Sequence, residues 1–202
     1  MIELIIAVTG VLLSVLIPLT RYIYGRRRKL EVYYENMWEK SPKLNPGKVL
    51  GIRGRGFDEY YYKRPVDDII KKKIESNQNV LIIGGPLSGK SRAIWQALTT
   101  LKKPHDIIIP RSVDINPEDF HVPFRFTFWR KPILVIDDID RFVEKRNFSH
   151  LLQEFLEYKA IIVASCRSGP EYDKLKTRIE TELLSAFGDP INIPEIRKAE
   201  AE

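Results

Sequence analysis

The order of hydrophobic and polar residues divides the chain into one apolar N-terminal segment and a longer region of alternating short elements. Five short aliphatic runs can be seen in the longer region, within residues 80–83, 105–110, 133–136, 161–167 and 189–195. Segments with helical character lie between several of them, for example LLQEFLEYK. Continuous aliphatic strands separated by helices are typical of a parallel sheet with both faces covered. The pattern therefore predicts an α/β fold.

The apolar N-terminal segment predicts a membrane anchor at residues 1–24. Residues 4–19 carry no charge, and with residues 20–24 they approach the roughly 20 residues that a spanning helix needs. The cluster RRRK follows this segment, whereas a cleaved signal peptide carries its positive charge before it. The positive-inside rule then predicts a single-pass protein with its main domain in the cytoplasm and its basic cluster near anionic lipid head groups. A buried core helix is the alternative.

Residues 25–56 are interpreted as a basic juxtamembrane segment and linker, and residues 57–202 as the main domain. The first part of this linker region could form a short amphipathic helix or strand, and Pro/Gly turns follow from residue 41 onward. A helix is predicted to begin at Pro65, because proline suits the first helical position and Asp67 and Asp68 complement the helix dipole in the first turn.

Residues 84–91, GGPLSGKS, fit the phosphate-loop (P-loop) pattern G-x-x-x-x-G-K-[ST] between a predicted strand and a predicted helix. Glycines allow a loop backbone to wrap closely around a phosphate, and the following helix N-terminus favours an anion. Lys90 would reach the outer phosphates, and the Ser91 hydroxyl would bind Mg²⁺. The predicted nucleotide-binding residues in this stretch are Gly84, Gly85, Pro86, Leu87, Ser88, Gly89, Lys90, Ser91 and Arg92. An ordinary strand–turn–helix that happens to match is the alternative.

An acidic pair follows the aliphatic run 133–136, and ligands of parallel sheets bind beyond the carboxyl ends of the strands. Asp137 is predicted to hold Mg²⁺ through water, since this ion keeps several of its waters. Asp138 is predicted to orient and deprotonate the attacking water, with Asp140 as the next candidate. The alternative is that this acidic stretch only ends a strand and begins a loop.

The run 161–167 is predicted to lie beside the two preceding site strands, so that Ser165 and Arg167 emerge at the same edge. Arg167 could contact the γ-phosphate, because a guanidinium fork matches phosphate oxygens. A surface ion pair is its alternative role. Cys166, the single cysteine, excludes an internal disulfide and is interpreted as structural.

The net charge of +6 is uneven along the chain. The first 50 residues have eight Lys/Arg against four Asp/Glu, a net +4, and the remaining 152 residues have a net +2. A main domain with so small an excess argues against nucleic acid as a partner.

The motifs GGPLSGKS, ILVIDD and IIVASCR together resemble the ATPase core of the STAND and AAA+-like P-loop NTPases, over about residues 57–195. This resemblance implies an ASCE-type three-layer sandwich, with a five-stranded parallel sheet, a central P-loop strand and ATP with Mg²⁺ as ligand. The segment YYYKRPVDDIIKKKI is similar to the family's N-terminal helix, which implies that Arg64 lies near the adenine. In two places the chain departs from the family. Asp138 stands where AAA+ proteins usually carry glutamate, and the sequence ends where the family continues into a lid.

The function predicted from these features is a membrane-anchored, cytosol-facing, ATP-dependent switch with ATPase activity. Asp138, Lys90 and Arg167 are its predicted catalytic residues. The lid region is expected to be missing, so that either the chain is a truncated product or fragment, or a partner, such as a second copy of the chain or a protein effector, completes the site. Two alternatives stay open: a nucleotide-binding scaffold that does not hydrolyse ATP, and a small-molecule kinase.

Overall fold

The structure is a computed structural model that describes residues 31–47, 62–123 and 131–194, together with Ser14, Ile17 and Pro18. Apart from those three positions, the predicted anchor at residues 1–24 lies outside the described residues, as does the later part of the predicted linker. Among the residues described, no helix combines the length and the apolar character needed to cross a bilayer.

Six strands and five α-helices make up the described part of the chain. The strands are β1 (Tyr34–Lys40), β2 (Val80–Gly84), β3 (Asp106–Pro110), β4 (Ile133–Ile136), β5 (Ile161–Arg167) and β6 (Ile191–Ile193). The helices are α1 (Pro65–Glu75), α2 (Lys90–Thr99), α3 (Phe148–Glu157), α4 (Pro170–Arg178) and α5 (Thr181–Ser185). Short 3-10 turns occupy Ser41–Lys43 and Ile139–Arg141. The chain therefore has the alternating α/β organisation that its aliphatic pattern predicts.

The strands form one sheet in the order β1-β3-β4-β5-β2-β6. All neighbours are parallel except β1, which runs antiparallel to β3. Two expectations are corrected here. The sheet has six strands rather than five parallel ones, because β1 extends it at one end. The P-loop strand β2 is not central, because within the described ranges one strand, β6, lies beyond it on that side and four lie on the other.

Strand β1 comes from the region interpreted as a juxtamembrane segment and linker. Tyr34 at its start is buried, and Asn36 donates a hydrogen bond to the Ile107 carbonyl (3.1 Å). After the strand, Leu44 is buried and its carbonyl accepts a hydrogen bond from the Trp95 indole (3.0 Å). The described part of this region is therefore packed into the domain.

Side chains of the strands alternate between two hydrophobic cores, one on each face of the sheet. On β2, Leu81 and Ile83 face the core that includes Phe155 of α3, whereas Val80 and Ile82 face the other core. Residues of α1 and α2 fill that second core, among them Ile70, Ile74, Ile94 and Leu98. Helices thus cover both faces of the sheet, which is the three-layer arrangement that the sequence predicts.

The parallel order of β4, β5 and β2 brings three carboxyl ends to one edge of the sheet. Arg167 at the end of β5 stands beside Gly84 at the end of β2, and Ala164 pairs with Ile136 of β4. The P-loop, the acidic pair and Arg167 therefore meet at this edge, as expected from the rule that sites of such sheets form beyond the strand ends.

Candidate functional site

The P-loop connects β2 directly to α2, which begins at Lys90. Gly89 has a φ of +81°, a left-handed conformation that glycine adopts without steric cost. Leu87, at the tip of the loop, also has a positive φ and is 96% exposed. The loop therefore has the tight, irregular backbone that the glycine pattern predicts.

Gly84 is required for a different reason, which is close packing. A Cβ added there would lie 2.7 Å from the Ser88 hydroxyl oxygen and 2.8 Å from the Ile193 carbonyl oxygen. The second of these atoms belongs to the backbone of β6 and cannot rotate away. Gly84 is thus packed closely between Ser88 of the same loop and the edge strand β6.

We expect Gly84→Ala to lower the free energy of unfolding by about 1–3 kcal/mol, the usual cost of overpacking. Denaturant unfolding followed by circular dichroism measures this change. Gly47→Ala is the matched control, because this glycine is exposed and, among the described residues, the added Cβ would meet the side-chain oxygen of Asn45 rather than backbone. It should change the free energy by less than about 0.5 kcal/mol. Equal stability of the two variants would contradict the close packing of Gly84.

Lys90 is turned into the loop, with 6% of its surface exposed. Its ammonium group donates hydrogen bonds to the carbonyl oxygens of Gly84 (3.0 Å) and Gly85 (2.8 Å). A phosphate oxygen is a stronger acceptor than a neutral carbonyl, because both partners are then charged. The Lys90 ammonium group therefore lies inside the loop, from where it could reach an outer phosphate.

Ser91 and Asp137 are in direct contact, although 46 positions separate them in the sequence. The Ser91 hydroxyl lies 2.8 Å from both carboxylate oxygens of Asp137. On the other side, the Ser165 hydroxyl donates a hydrogen bond to the same carboxylate (2.6 Å). Burial raises the pKa of Asp137, and the two hydroxyl hydrogen bonds oppose this effect.

The chemistry of this pair fits a magnesium ion. Mg²⁺ prefers oxygen ligands and is usually bound through one or two protein groups plus waters and substrate phosphates. The Ser91 hydroxyl and the Asp137 carboxylate supply such oxygens side by side, next to the P-loop. The residues predicted to hold the metal are thus brought together by the fold.

Asp138 adopts a left-handed conformation (φ 53°) immediately after Asp137. Its N–H donates a hydrogen bond to the Ser165 hydroxyl (2.9 Å), and its carboxylate lies 3.7 Å from a guanidinium nitrogen of Arg167. The ion pair proposed as the alternative role of Arg167 is therefore present, with Asp138 as the partner. Burial raises the pKa of the nearby Asp140 carboxyl, and the charge of Asp138 raises it further by a smaller effect.

Arg64 contacts the P-loop directly. Its guanidinium group donates hydrogen bonds to the carbonyl oxygens of Ser88 (2.8 Å) and Gly89 (3.2 Å). Arg92, also predicted as a nucleotide-binding residue, has its guanidinium carbon 4.9 Å from the centre of the Trp95 ring. The structure thus gives both arginines contacts within the protein.

Ser165 is a member of the site that is not among the predicted site residues, although its strand end is expected at the same edge. Ser165 is fully buried and links the acidic pair by accepting from Asp138 and donating to Asp137. A polar residue in an otherwise aliphatic buried strand was the available signal, since buried serines need partners. Burial raises the pKa of the Cys166 thiol to about 12, which agrees with a structural role for this residue.

No family model matches the chain, and no curated protein matches it either. Among solved structures, NtrX from Brucella abortus in complex with ADP is similar at a TM-score of 0.43 and 12% identity, over 67% of this chain and 37% of NtrX. NtrX in complex with ATP is similar at 0.41 and 14%, over 68% and 39%. Katanin, from a structure concerned with its self-assembly, is similar at 0.47 and 15%, over 77% and 56%. The chain thus spans less than two thirds of each of these proteins.

Proposed function

We propose that the chain binds MgATP at the P-loop and hydrolyses it slowly, as a nucleotide-dependent switch. The observation that carries this proposal is the contact of Ser91 with Asp137, next to Lys90. Three groups meet at one edge of the sheet. The Ser91 hydroxyl and the Asp137 carboxylate could hold a metal, and the Lys90 ammonium group could hold a phosphate. These are the groups that nucleotide phosphates and their magnesium ion require.

Phosphate binding would use the loop backbone as well as Lys90. The N–H groups of Gly89 and Lys90 have no acceptor among the described residues, and both stand at the N-terminus of the ten-residue helix α2. Such N–H groups and the helix dipole favour a bound anion. On binding, the Lys90 ammonium would exchange its two loop carbonyls for phosphate oxygens.

Hydrolysis would join a water oxygen to the γ-phosphorus and break the bond from this phosphorus to the β–γ bridging oxygen. Asp138 is the proposed group that aligns this water and takes its proton. Bound at Ser91 and Asp137, Mg²⁺ would neutralise charge on the phosphates. Ser165 supports the arrangement, because it holds the Asp137 carboxylate and the Asp138 backbone at the same time.

The ion pair between Asp138 and Arg167 supports a switch. The Arg167 side chain is partly exposed and lies 3.7 Å from the Asp138 carboxylate. A γ-phosphate carries more charge than this carboxylate and would compete for the guanidinium group. Binding of ATP would then free Asp138 and move Arg167, so that the end of β5 would differ between the nucleotide states.

Single-turnover hydrolysis tests the proposed ATPase. The chain in excess over γ-labelled ATP should release labelled phosphate in a single exponential phase, and labelled ATP incubated without the chain serves as the blank. Release at the rate of this blank would remove the ATPase and leave the nucleotide-binding scaffold. Scaffold binding without hydrolysis is favoured by one observation, namely that Asp138 is already engaged by Arg167.

The membrane anchor at residues 1–24 is the second part of the proposal, and it rests on the sequence. We expect the full chain to sediment with membranes and to resist carbonate extraction, because about 20 apolar residues give stable insertion. Deletion of residues 1–24 should release the chain into the supernatant. Protease added to sealed right-side-out vesicles should leave the domain intact, and its digestion would contradict the cytoplasmic orientation.

A further inference from the structure

Arg64 is fixed in place by the first turn of α1. It is the residue just before this helix, and its N–H donates a hydrogen bond to the Asp67 carboxylate (2.8 Å). The Asp67 N–H donates in return to the Arg64 carbonyl oxygen (3.0 Å), and Asp67 is buried. Pro65 follows with a ring that restricts the backbone further. The arginine therefore projects from a backbone that has little freedom.

The guanidinium group of Arg64 spans two consecutive carbonyl groups of the P-loop. One terminal nitrogen donates to Ser88 at 2.8 Å, and the other lies 3.2 Å from the Gly89 carbonyl oxygen. A Cβ atom added to Gly89 would lie only 3.2 Å from this second guanidinium nitrogen of Arg64. The arginine thus lies directly against the face of the loop that this glycine leaves open.

These two hydrogen bonds also help to set the direction of two N–H groups, together with the bond from the Ala93 N–H to the Gly89 carbonyl oxygen (2.9 Å). A peptide unit is planar, and its carbonyl oxygen and N–H point in opposite directions. The Ser88 carbonyl shares a peptide unit with the Gly89 N–H, and the Gly89 carbonyl shares one with the Lys90 N–H. When Arg64 holds both carbonyls on the α1 side, both N–H groups point to the other side. Successive N–H groups that point the same way form an anion-binding concavity.

We propose that Arg64 is a positioning residue, which holds the P-loop backbone in the shape that accepts phosphate and does not read the adenine base. Both terminal nitrogens are directed at the loop, so the side chain acts through the backbone of residues 88–90. This inference rests on the proposed function for the identity of the ligand. The hydrogen bonds from Arg64 to the loop do not depend on that identity.

The first test compares a nucleotide with a ligand that has no base. Affinities of MgATP and of magnesium tripolyphosphate are measured by calorimetry for the wild type, Arg64→Ala, Arg64→Lys and Lys63→Ala. We expect Arg64→Ala to weaken both ligands by the same factor, about tenfold or more, as for loss of hydrogen bonds from a charged group. Arg64→Lys should recover only part of this loss, because an ammonium group lacks the planar fork.

Lys63→Ala is the matched control, because it removes the same charge from the neighbouring residue. The Lys63 side chain is exposed and pairs with Asp68 on the surface. Its replacement should change both affinities less than about twofold, as expected for a solvated pair. If Arg64→Ala weakens MgATP but leaves tripolyphosphate binding unchanged, Arg64 contacts the nucleoside and the inference is overturned.

The second test needs no ligand and separates this inference from the proposed function. Hydrogen exchange is measured in the protein without nucleotide for the amides of Ser88 and Ala93, whose N–H groups donate to the loop carbonyl oxygens of Gly85 (3.4 Å) and Gly89 (2.9 Å). We expect these amides to exchange at least about tenfold faster in Arg64→Ala, with unchanged exchange in β5 and no effect of Lys63→Ala. Unchanged exchange of these amides in Arg64→Ala would overturn the inference. A wild type that binds neither ligand would instead refute the proposed function and leave the exchange result to decide the role of Arg64.

Discussion

Asp138→Asn should slow single-turnover ATP hydrolysis by about 10²–10⁴-fold, the usual contribution of a positioned acid or base. Asparagine keeps the size of the side chain but cannot take the proton of the attacking water. The substitution should leave the backbone in place, because Asn tolerates the left-handed conformation of this residue as well as Asp does. MgATP affinity should change little, since alignment of the water matters mainly in the transition state.

Two further variants make this result specific. Asp140→Asn is the nearest comparison, because Asp140 is the other acid at this strand end and its pKa is raised by burial and by Asp138. Asp173→Asn is the remote control, since Asp173 pairs with Lys176 at the exposed surface of α4. An active wild type that is unaffected by Asp138→Asn, but slowed by Asp140→Asn, would transfer the proposed role to Asp140.

Lys90→Ala should weaken MgATP binding by at least tenfold. A hydrogen bond between charged partners contributes about 1.5–3 kcal/mol, which corresponds to a factor of roughly 10 to 150 in affinity. The fold should tolerate the change, because alanine favours the first turn of α2 and the partners of Lys90 are backbone carbonyls of the loop itself.

The measurement is a calorimetric titration, with unfolding by denaturant as a check on stability. Lys102→Ala is the control, because its side chain is 82% exposed and lies 3.9 Å from Glu75. It should bind MgATP like the wild type. Equal affinity of Lys90→Ala and Lys102→Ala would remove Lys90 from the phosphate site.

The parts of the fold that depend on local signals could be predicted from the sequence. Helix α1 begins at Pro65 as expected, because the proline and the acidic first turn act within the segment itself. Strand β1 was not assigned with the sheet, because its place depends on pairing with β3 about 70 residues away. Its polar sequence YENMWEK and two register irregularities hide the alternation that would mark a strand.

The same distinction holds in the site. The contact of Ser91 with Asp137 follows from the motif spacing and from the rule for strand ends, so it could be foreseen. The contact of Ser165 with Asp137 depends on the register between β5 and β4, where Ala164 stands beside Ile136. The position of Arg64 against the P-loop depends on how α1 packs beside α2, which no local pattern encodes.

The proposed nucleotide site is tested most directly by a calorimetric titration of the wild-type chain with ATP, with and without Mg²⁺. We expect saturable binding of one nucleotide per chain, weakened when Mg²⁺ is omitted because Ser91 and Asp137 then have no ion to share with the phosphates. Absence of saturable binding with Mg²⁺ present would contradict the assignment of this edge of the sheet as a nucleotide site.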